Sequence, residues 1–257
     1  MSKPICIIPA RMASSRFPGK PLEPLLGLAL VMHVYERCRL SEVLDRVVIA
    51  TCDDDIRAAA EVRGCEVVMT ADTHPGCVDR TEEAISKIAA DMDDEALVLM
   101  VQGDEVLVSP RMIDEIVEAH RDSGAPVVNL VSRLASARDH DNPNCVKVAA
   151  TPAGRALFFS RSPIPSRART DDVPMYQQTG VIGFSKSFLF QFGRLARTPL
   201  EIAEGIDMLR TLEHGYPIQL VFTDTETIGV DTPADLARAE DVLRSDATTA
   251  QYLEPVH

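Results

Sequence analysis

Apolar and polar positions alternate in blocks along the first 105 residues of the chain. Apolar runs of strand length are separated by stretches with the helical apolar period; the runs are PICIIPA, RVVIATC, CEVVMT and ALVLMV, and the helical stretches include LVMHVYERCRL and DDDIRAAAEVRG. Strands that are apolar on both faces are typical of parallel sheets covered by helices on both sides. The pattern therefore predicts an α/β fold with a doubly wound, mostly parallel, Rossmann-like sheet.

The middle of the chain has a different pattern. Its strand-like stretches are VVNLVSRL, VKVAAT, RALFFSR and QQTGVIGFS, and the connections DHDNPN and SPIPSRARTDDVP are rich in Pro, Asn and Asp. We predict a smaller mixed β subregion at about 125–185, beside the main sheet. A strand, IQLVFTDT, and a helix from Pro233 follow. The prediction is a single domain over residues 1–245 and a loose C-terminal tail over 246–257.

Composition narrows the classes of partner. The formal net charge of the 257 residues is −13, which disfavours nucleic acid and anionic membranes. No apolar stretch approaches the roughly 18 residues of a membrane span. The six cysteines lack zinc-site spacing and are interpreted as reduced thiols of a cytoplasmic protein.

Candidate chemistry lies where the predicted strands end, because ligands of open α/β sheets bind outside the carboxyl ends of the strands. The loop PARMASSRFPGK follows the first strand and carries Arg11, Arg16 and Lys20, while the carboxylate-bearing stretches TCDDD, QGDE and IGVD occupy comparable places. Cations that bind phosphate oxygens, together with carboxylates that hold Mg²⁺, suit a nucleoside triphosphate. The chain contains neither GxxxxGK[ST] nor a GxGxxG after its first strand, which disfavours a P-loop enzyme and a dinucleotide oxidoreductase.

Seven stretches, taken together, resemble one family in their order and spacing. They are PARMASSRFPGKPL, VVIAT, VQGDE, NPNCVKV, ALFFSRSPIP, GVIGF and GVDTPADLARAE, and the family is that of the CMP-KDO synthetases, the 3-deoxy-manno-octulosonate cytidylyltransferases. The resemblance implies a nucleotidyltransferase domain, usually a homodimer. It also implies transfer of CMP from CTP to a small anionic acceptor, with Mg²⁺ as cofactor and release of pyrophosphate.

Site residues follow from the positions that match the family. The resemblance assigns catalytic roles to Lys20, Asp104 and Asp231, and the two aspartates are also the expected Mg²⁺ ligands. The expected nucleotide-binding residues are Arg11, Ser14, Ser15, Arg16, Lys20 and Gln102, and Glu105 flanks the metal site. The expected acceptor-binding residues are Arg161, Gln178 and Asp207, and the roles of Asn142, Asn144 and Lys147 are left open.

Each of these positions also has a structural interpretation. The cationic loop could be a solvated turn, and Asp104 could be a turn residue at a strand end. Asp231 precedes Thr-Pro, a sequence that is also typical of a helix cap followed by Pro in the first turn. Arg161 could form a surface ion pair, and NPN is a good turn sequence.

The chain departs from the family pattern in the half of the site that binds the acceptor in the family. The family has Pro after QGDE, His and Tyr in the strand matching QQTGVIGF, and a Glu-Gln pair facing the sugar; here these positions hold Val106, Gln178, Ile182, Asp207 and Met208. Loss of polar groups that bind sugar hydroxyls weakens the selection of a polyhydroxylated substrate. The resulting hypothesis is that the acceptor is not the usual sugar acid.

A modified sugar acid and a small phosphonate such as phosphonoformate are the acceptors considered. The stretch SRSPIPSRAR would suit a compact dianion if Arg161, Arg167 and Arg169 faced the site. Two further functions stay open: a nucleotidyltransferase that uses another nucleoside triphosphate, and a non-catalytic nucleotide-binding protein.

Overall fold

The structure of the protein is a computed structural model that describes residues 3–13, 16–134, 136–170, 172–225 and 227–253. Within these residues the strands are β1 (Ile5–Ala10), β2 (Pro24–Leu25), β3 (Leu28–Ala29), β4 (Arg46–Thr51), β5 (Glu66–Met69), β6 (Leu97–Val101), β7 (Val127–Arg133), β8 (Lys147–Ala150), β9 (Ala156–Ser160), β10 (Tyr176–Ser185) and β11 (Ile218–Thr223). The helices are α1 (Leu30–Arg39), α2 (Asp54–Val62), α3 (Cys77–Ile88), α4 (Pro110–Ser123), α5 (Ala137–Asp141), α6 (Lys186–Phe192), α7 (Pro199–Glu204), α8 (Met208–Glu213) and α9 (Pro233–Leu243). Short 3₁₀ helices cover Lys20–Leu22 and Thr249–Gln251.

The main sheet has the strand order β11-β7-β10-β6-β1-β4-β5. The pairs β1–β4, β4–β5, β1–β6 and β7–β11 are parallel, whereas β10 is antiparallel to both β6 and β7. The predicted doubly wound, mostly parallel α/β fold is confirmed.

Buried strands explain why this sheet forms. All six residues of β1 and all five of β6 are buried, so both faces of these strands need a helical cover. Two apolar clusters, one on each face of the sheet, contain the residues that cover these strands. Leu30, Val34 and Ile113 belong to one cluster, and Val78, Phe184 and Phe188 belong to the other.

The mixed β subregion is smaller than the stretch 125–185 predicted from the sequence. Strand β7 and most of β10 lie inside the main sheet, between β6 and β11. Only β8, β9 and the start of β10 form the antiparallel extension, through the pairs β8–β9 and β8–β10. Strand β10 is ten residues long, and this length allows its first residues to pair with β8 and its last with β6.

Helix α4 is absent from the sequence prediction, although its boundaries have ordinary signals. The Ser109 side chain accepts a hydrogen bond from the Met112 backbone N–H, and Pro110 occupies the first turn. The helix ends at Gly124, which has a φ of 59°.

The C-terminal segment 246–253, expected to be loose, is packed against α1. The buried Arg37 guanidinium donates to Asp246 Oδ2 at 2.7 Å and to Thr249 Oγ1 at 3.2 Å. His33 Nδ1 lies 2.8 Å from the Tyr252 hydroxyl. The prediction of a loose tail is wrong for these residues because α1 carries buried polar groups that need partners; residues 254–257 lie outside the described part.

Among the described residues, no helix combines the length and the apolar character that crossing a membrane requires.

Candidate functional site

One cavity of about 1180 Å³ opens at the carboxyl ends of the central strands. Every described residue predicted for the site lines it, from the nucleotide-binding loop to the acceptor-binding positions. These residues are Arg11, Arg16, Lys20, Gln102, Asp104, Arg161, Gln178, Asp207 and Asp231. Ser14 and Ser15 were also predicted, and they lie outside the described residues.

The loop after β1 folds back so that Lys20 points into the protein. The Gly19 N–H donates to the Met12 carbonyl at 3.0 Å, and the Met12 N–H donates to Asp53 Oδ2 at 2.9 Å. Gly19 has a φ of 78°, a left-handed conformation that favours glycine. The turn it makes brings the largely buried Lys20 side chain to the floor of the cavity.

Asp104 and Asp231 arrive from distant parts of the chain. Asp104 follows β6, and its carbonyl accepts a hydrogen bond from the Val230 N–H at 3.1 Å. A single β-bridge between Glu105 and Gly229 fastens the two segments together. These backbone contacts explain how aspartates that are far apart in sequence come to share one site.

Lys20 lies between the two carboxylates. Its Nζ is 2.6 Å from Asp104 Oδ2 and 3.4 Å from Asp231 Oδ1, while Arg16 NH2 is 2.9 Å from Asp231 Oδ2. Burial opposes the charge of Lys20, but the adjacent Asp104 and then Asp231 raise its pKa above the ordinary lysine value. Arg11 makes no hydrogen bond or ion pair within the described residues, so its charge is available to an anion.

The Asp231 side chain does not cap helix α9. Helix α9 is capped by Thr232, whose hydroxyl accepts from the Asp235 N–H, and Pro233 follows in the first turn. The Asp235 carboxylate accepts from the Asp231 and Thr232 backbone N–H groups. The Asp231 carboxylate is therefore left for Lys20 and Arg16.

The donor set at Lys20 fits a magnesium ion. Mg²⁺ is commonly held by one or two carboxylates together with substrate phosphates and water. Asp104 and Asp231 supply two carboxylates that already share one cationic atom. Among the described residues, no group of three or more His, Cys, Asp or Glu side chains could hold a metal by itself.

Glu105 is a buried residue next to Asp104. Its carboxylate is buried and accepts the Gly180 N–H at 2.5 Å. Burial, followed by the nearby charge of Asp104, raises the pKa of Glu105 to about 7. The side chain thus ties β10 to the turn that carries Asp104.

Gln102 is held by a close approach of β10. Its backbone N–H donates to the Gly180 carbonyl at 2.9 Å. A Cβ on residue 180 would lie 2.8 Å from three carbon atoms of the Gln102 side chain, so glycine is required for this packing.

The end of the cavity that holds the predicted acceptor-binding residues offers hydrogen-bond acceptors. Gln178 Nε2 donates to Asn129 Oδ1 at 2.8 Å, which leaves Oε1, the oxygen of the Gln178 side-chain amide, for a ligand. The Asp207 carboxylate makes no hydrogen bond within the described residues, and burial, then Glu201, raises its pKa. Ile182 and Met208 add apolar surface beside them.

Arg161 supplies positive charge at the same end. Its guanidinium donates to the carbonyls of Glu204 at 2.7 Å, Pro143 at 3.0 Å and Gly205 at 3.5 Å. No described carboxylate forms an ion pair with it, so the surface-ion-pair interpretation is wrong within the described part of the chain.

Arg167 and Arg169 do not join Arg161. Arg167 pairs with Asp141 at 2.5 Å, and Arg169 is exposed. Neither is among the described residues that line the cavity. The structure thus lacks the three-arginine site that the sequence hypothesis invoked for a compact dianion.

Residues of the NPNCVK stretch line the cavity between the end that holds Lys20 and the end that holds Arg161. Asn142 Oδ1 accepts from the Asn144 N–H at 3.0 Å, as in an Asx turn, and Asn144 Oδ1 accepts from Arg16 at 3.4 Å. Lys147 is fully buried beneath this turn and does not line the cavity. Asn142 and Asn144 therefore form the predicted turn and also line the cavity.

Several contributing residues were missed from the sequence. Asn129, a polar residue inside the apolar run VVNLV, carried a signal that could have been used. Asp53 sits in the TCDDD stretch, but its contact with Met12 has no local signal. Glu204 lies in an ordinary helical pattern, so only the folded chain shows its contacts with Ser160 and Arg161.

The fold and this cavity define a class of protein. A doubly wound sheet, a cationic loop after its first strand and two carboxylates paired with one lysine are the apparatus of a nucleotidyltransferase, which binds a triphosphate and transfers its nucleotidyl group.

Comparison with known proteins gives the family. The sequence model of a family described as cytidylyltransferase matches residues 5–226. The 3-deoxy-manno-octulosonate cytidylyltransferase of Syntrophobacter fumaroxidans is 43% identical over 247 residues, which cover 95% of this chain and 98% of that protein. The same enzyme of Geobacter metallireducens is 41% identical over 249 residues, with 92% and 96% covered.

A solved structure agrees with these relatives. The chain matches CMP:2-keto-3-deoxy-manno-octonic acid synthetase complexed with CTP with a TM-score of 0.87 and 32% identity, covering 98% of this chain and all of that one. The chain belongs to the cytidylyltransferase family, within the CMP-KDO synthetase group, and is a CTP-dependent nucleotidyltransferase. The predicted family and enzyme class are confirmed.

Proposed function

We propose that this enzyme transfers CMP from CTP to 3-deoxy-manno-octulosonate or a closely related sugar acid and releases pyrophosphate. The observation that carries the proposal is a single cavity with two chemically different ends. Lys20, Asp104 and Asp231 lie at one end, and Arg161, Gln178 and Asp207 lie at the other. The names of the relatives supply the same acceptor.

The reaction forms one bond and breaks another at the α-phosphorus. An acceptor oxygen attacks this phosphorus, the bond from it to the oxygen that bridges the α- and β-phosphates breaks, and pyrophosphate leaves with that oxygen. An attacking hydroxyl releases its proton to water. Arg11, Arg16 and Lys20 bind and neutralise the phosphate oxygens, where charge-assisted hydrogen bonds are strong. Asp104 and Asp231 would hold Mg²⁺, which supplies charge neutralisation and alignment of the reacting oxygens.

The acceptor end favours a sugar acid over a phosphonate. Arg161 offers one cation for a carboxylate, whereas Gln178 and Asp207 offer oxygen atoms that must receive hydrogen bonds. Sugar hydroxyls can donate those bonds. A compact dianion lacks donors and would be repelled by the Asp207 carboxylate, and Arg167 is engaged by Asp141.

An acceptor screen tests the proposal. Purified enzyme, CTP and Mg²⁺ are incubated with 3-deoxy-manno-octulosonate, amino-sugar acids and phosphonoformate, and pyrophosphate release is followed through pyrophosphatase. We expect the highest kcat/KM with a sugar acid. Higher kcat/KM with phosphonoformate would overturn the acceptor assignment, and a preference for UTP, ATP or GTP would overturn the nucleotide.

We also propose that the enzyme is a homodimer. The family resemblance implies one, and exposed apolar side chains on two strands support it: Leu157 of β9 is 60% exposed, and Phe222 of β11 is 41% exposed. Sedimentation velocity should give twice the mass of the chain, and Leu157→Glu should shift the protein toward monomer. A monomer at assay concentration contradicts the proposal.

A further inference from the structure

Arg161 is held in place by a set of contacts that do not neutralise it. Its guanidinium donates only to backbone carbonyls within the described residues: those of Glu204, Pro143 and Gly205. Two of these carbonyls lie at the C-terminal end of α7, where a cation is favoured. The side chain is thereby oriented, while its charge remains available to a substrate carboxylate.

Glu204 holds the backbone of the same arginine. One carboxylate oxygen accepts from the Ser160 hydroxyl at 2.7 Å, and the other accepts from the Arg161 N–H at 2.8 Å. The Glu204 carbonyl meanwhile accepts from Arg161 Nε. One residue therefore fixes both the main chain and the guanidinium of Arg161.

Lys147 fixes the opposite side. Its fully buried ammonium donates to the carbonyls of Asn142 and Cys145, each at 2.7 Å, and to that of Arg161. Because Pro143 lies between Asn142 and Cys145, the same ammonium sets the carbonyl that receives Arg161 NH1. Burial lowers the pKa of Lys147. The hydrogen bonds to the three carbonyls are therefore the contacts that stabilise the charged ammonium.

We infer that Glu204 and Lys147 are positioning residues that set Arg161 before the acceptor binds. The inference rests on the proposed function in that Arg161 receives the acceptor's carboxylate. A guanidinium that is already ordered loses little conformational freedom on binding, and this favours affinity for the acceptor. Within the described residues Glu204 contacts Ser160 and Arg161 and no residue predicted to bind the nucleotide, so the effect of its loss is specific to the acceptor.

The test compares Glu204→Ala with Glu204→Gln. An amide can still accept from the Arg161 N–H and can donate to the Ser160 hydroxyl, whereas alanine can do neither. We expect Glu204→Ala to raise the acceptor KM by roughly tenfold and to leave the CTP KM within about twofold. Glu204→Gln should restore the acceptor KM to within about threefold of the parent. Glu61→Ala, at an exposed site on α2, is the matched control.

A second readout does not depend on turnover. In protein labelled with ¹⁵N-arginine, the Arg161 Nε–H signal, assigned by its loss in Arg161→Lys, should exchange slowly with solvent in the parent and in Glu204→Gln. It should exchange fast in Glu204→Ala and in Lys147→Met. An unchanged signal and an unchanged acceptor KM in Glu204→Ala would overturn the inference.

Other outcomes also decide it. Equal losses in the acceptor KM, the CTP KM and kcat of Glu204→Ala, with a lowered Tm, would show a merely structural role and overturn the inference. Equal impairment of Glu204→Gln and Glu204→Ala would overturn it as well. If the parent turned over no sugar acid, the proposed function would fail, and the NMR signal alone would then decide whether Glu204 and Lys147 position Arg161.

Discussion

At the scale of single residues, the site depends on one ammonium group shared by two carboxylates. Lys20 contacts Asp104 at 2.6 Å and Asp231 at 3.4 Å, and Asp104 is the more closely paired. The shared ammonium holds the two carboxylates at one point of the cavity, where they would bind Mg²⁺ together with the triphosphate. The three side chains therefore act as a unit.

Asp104→Asn should remove most turnover and leave CTP binding measurable. The amide keeps the shape of the side chain but loses the charge that would hold Mg²⁺, so we expect kcat to fall at least about a hundredfold. Steady-state kinetics and calorimetric titration with CTP separate the two effects. Asp241→Asn, at an exposed position on α9, is the control; turnover by Asp104→Asn equal to that of the parent would refute the metal assignment.

At this scale the sequence predicted a great deal. The motifs found Lys20, Asp104 and Asp231, and the structure places all three in one cavity. The sequence could not decide whether Asp231 caps α9, because Asp and Thr are both good caps; only the fold shows that Thr232 takes that position. It also could not show that Arg167 pairs with Asp141, since that contact joins residues 26 positions apart.

At the scale of elements, the C-terminal segment acts as a brace on α1. The brace is defined by residues 246–253, and its main contact is the ion pair of Arg37 with Asp246 at 2.7 Å. Arg37 Nε also donates to the Val108 carbonyl at 2.5 Å, so this arginine joins the brace to the turn that follows Asp104. The segment thus supports an element behind the site.

Truncation after Ser245 should destabilise the protein. It leaves the buried Arg37 guanidinium without its carboxylate and the His33 ring without the Tyr252 hydroxyl, at a cost of about 2–4 kcal/mol in the free energy of unfolding. Urea denaturation measures the change. Truncation after Leu253 is the matched control because it keeps all these contacts; equal stability of the two truncated proteins would contradict the brace.

Element prediction worked best where the local pattern was strong. The apolar runs of β1, β4, β5 and β6 predicted strands, and these are four neighbouring strands of the seven in the main sheet. Placement of β7 and β10 was wrong because sheet position depends on long-range pairing, which short stretches do not encode. The tail was misjudged for a similar reason: its partners lie more than 200 residues away.

At the scale of the whole molecule, stability should depend on pH through His33. The ring is fully buried: Nε2 lies 2.6 Å from the Leu25 carbonyl, to which it can only donate, so Nδ1 of the neutral ring accepts from the Tyr252 hydroxyl. Burial lowers the pKa of His33 to about 4. The unfolded chain, with an ordinary histidine pKa, therefore binds more protons between about pH 4 and 6.5.

The free energy of unfolding should accordingly rise as pH increases from about 4 to 6.5. The His33 contribution is roughly 2–3 kcal/mol over that window and is lost as pH falls through it. Urea denaturation of the parent and of His33→Gln, which cannot titrate, isolates this contribution as the difference between two pH profiles. Parallel profiles across the window would show that His33 does not carry the effect.

The sequence by itself determined the family, the parallel-sheet class and the residue types of the nucleotide end, because these depend on local apolar periodicity and on motifs of charged residues at strand ends. The tertiary structure decided how the acceptor end is built. There, Arg161 takes its direction from Glu204 and Pro143, and Gln178 takes its direction from Asn129. Such contacts join segments that meet only after folding, so the polarity of that end, on which the proposed sugar-acid acceptor rests, emerges from packing rather than from any single stretch.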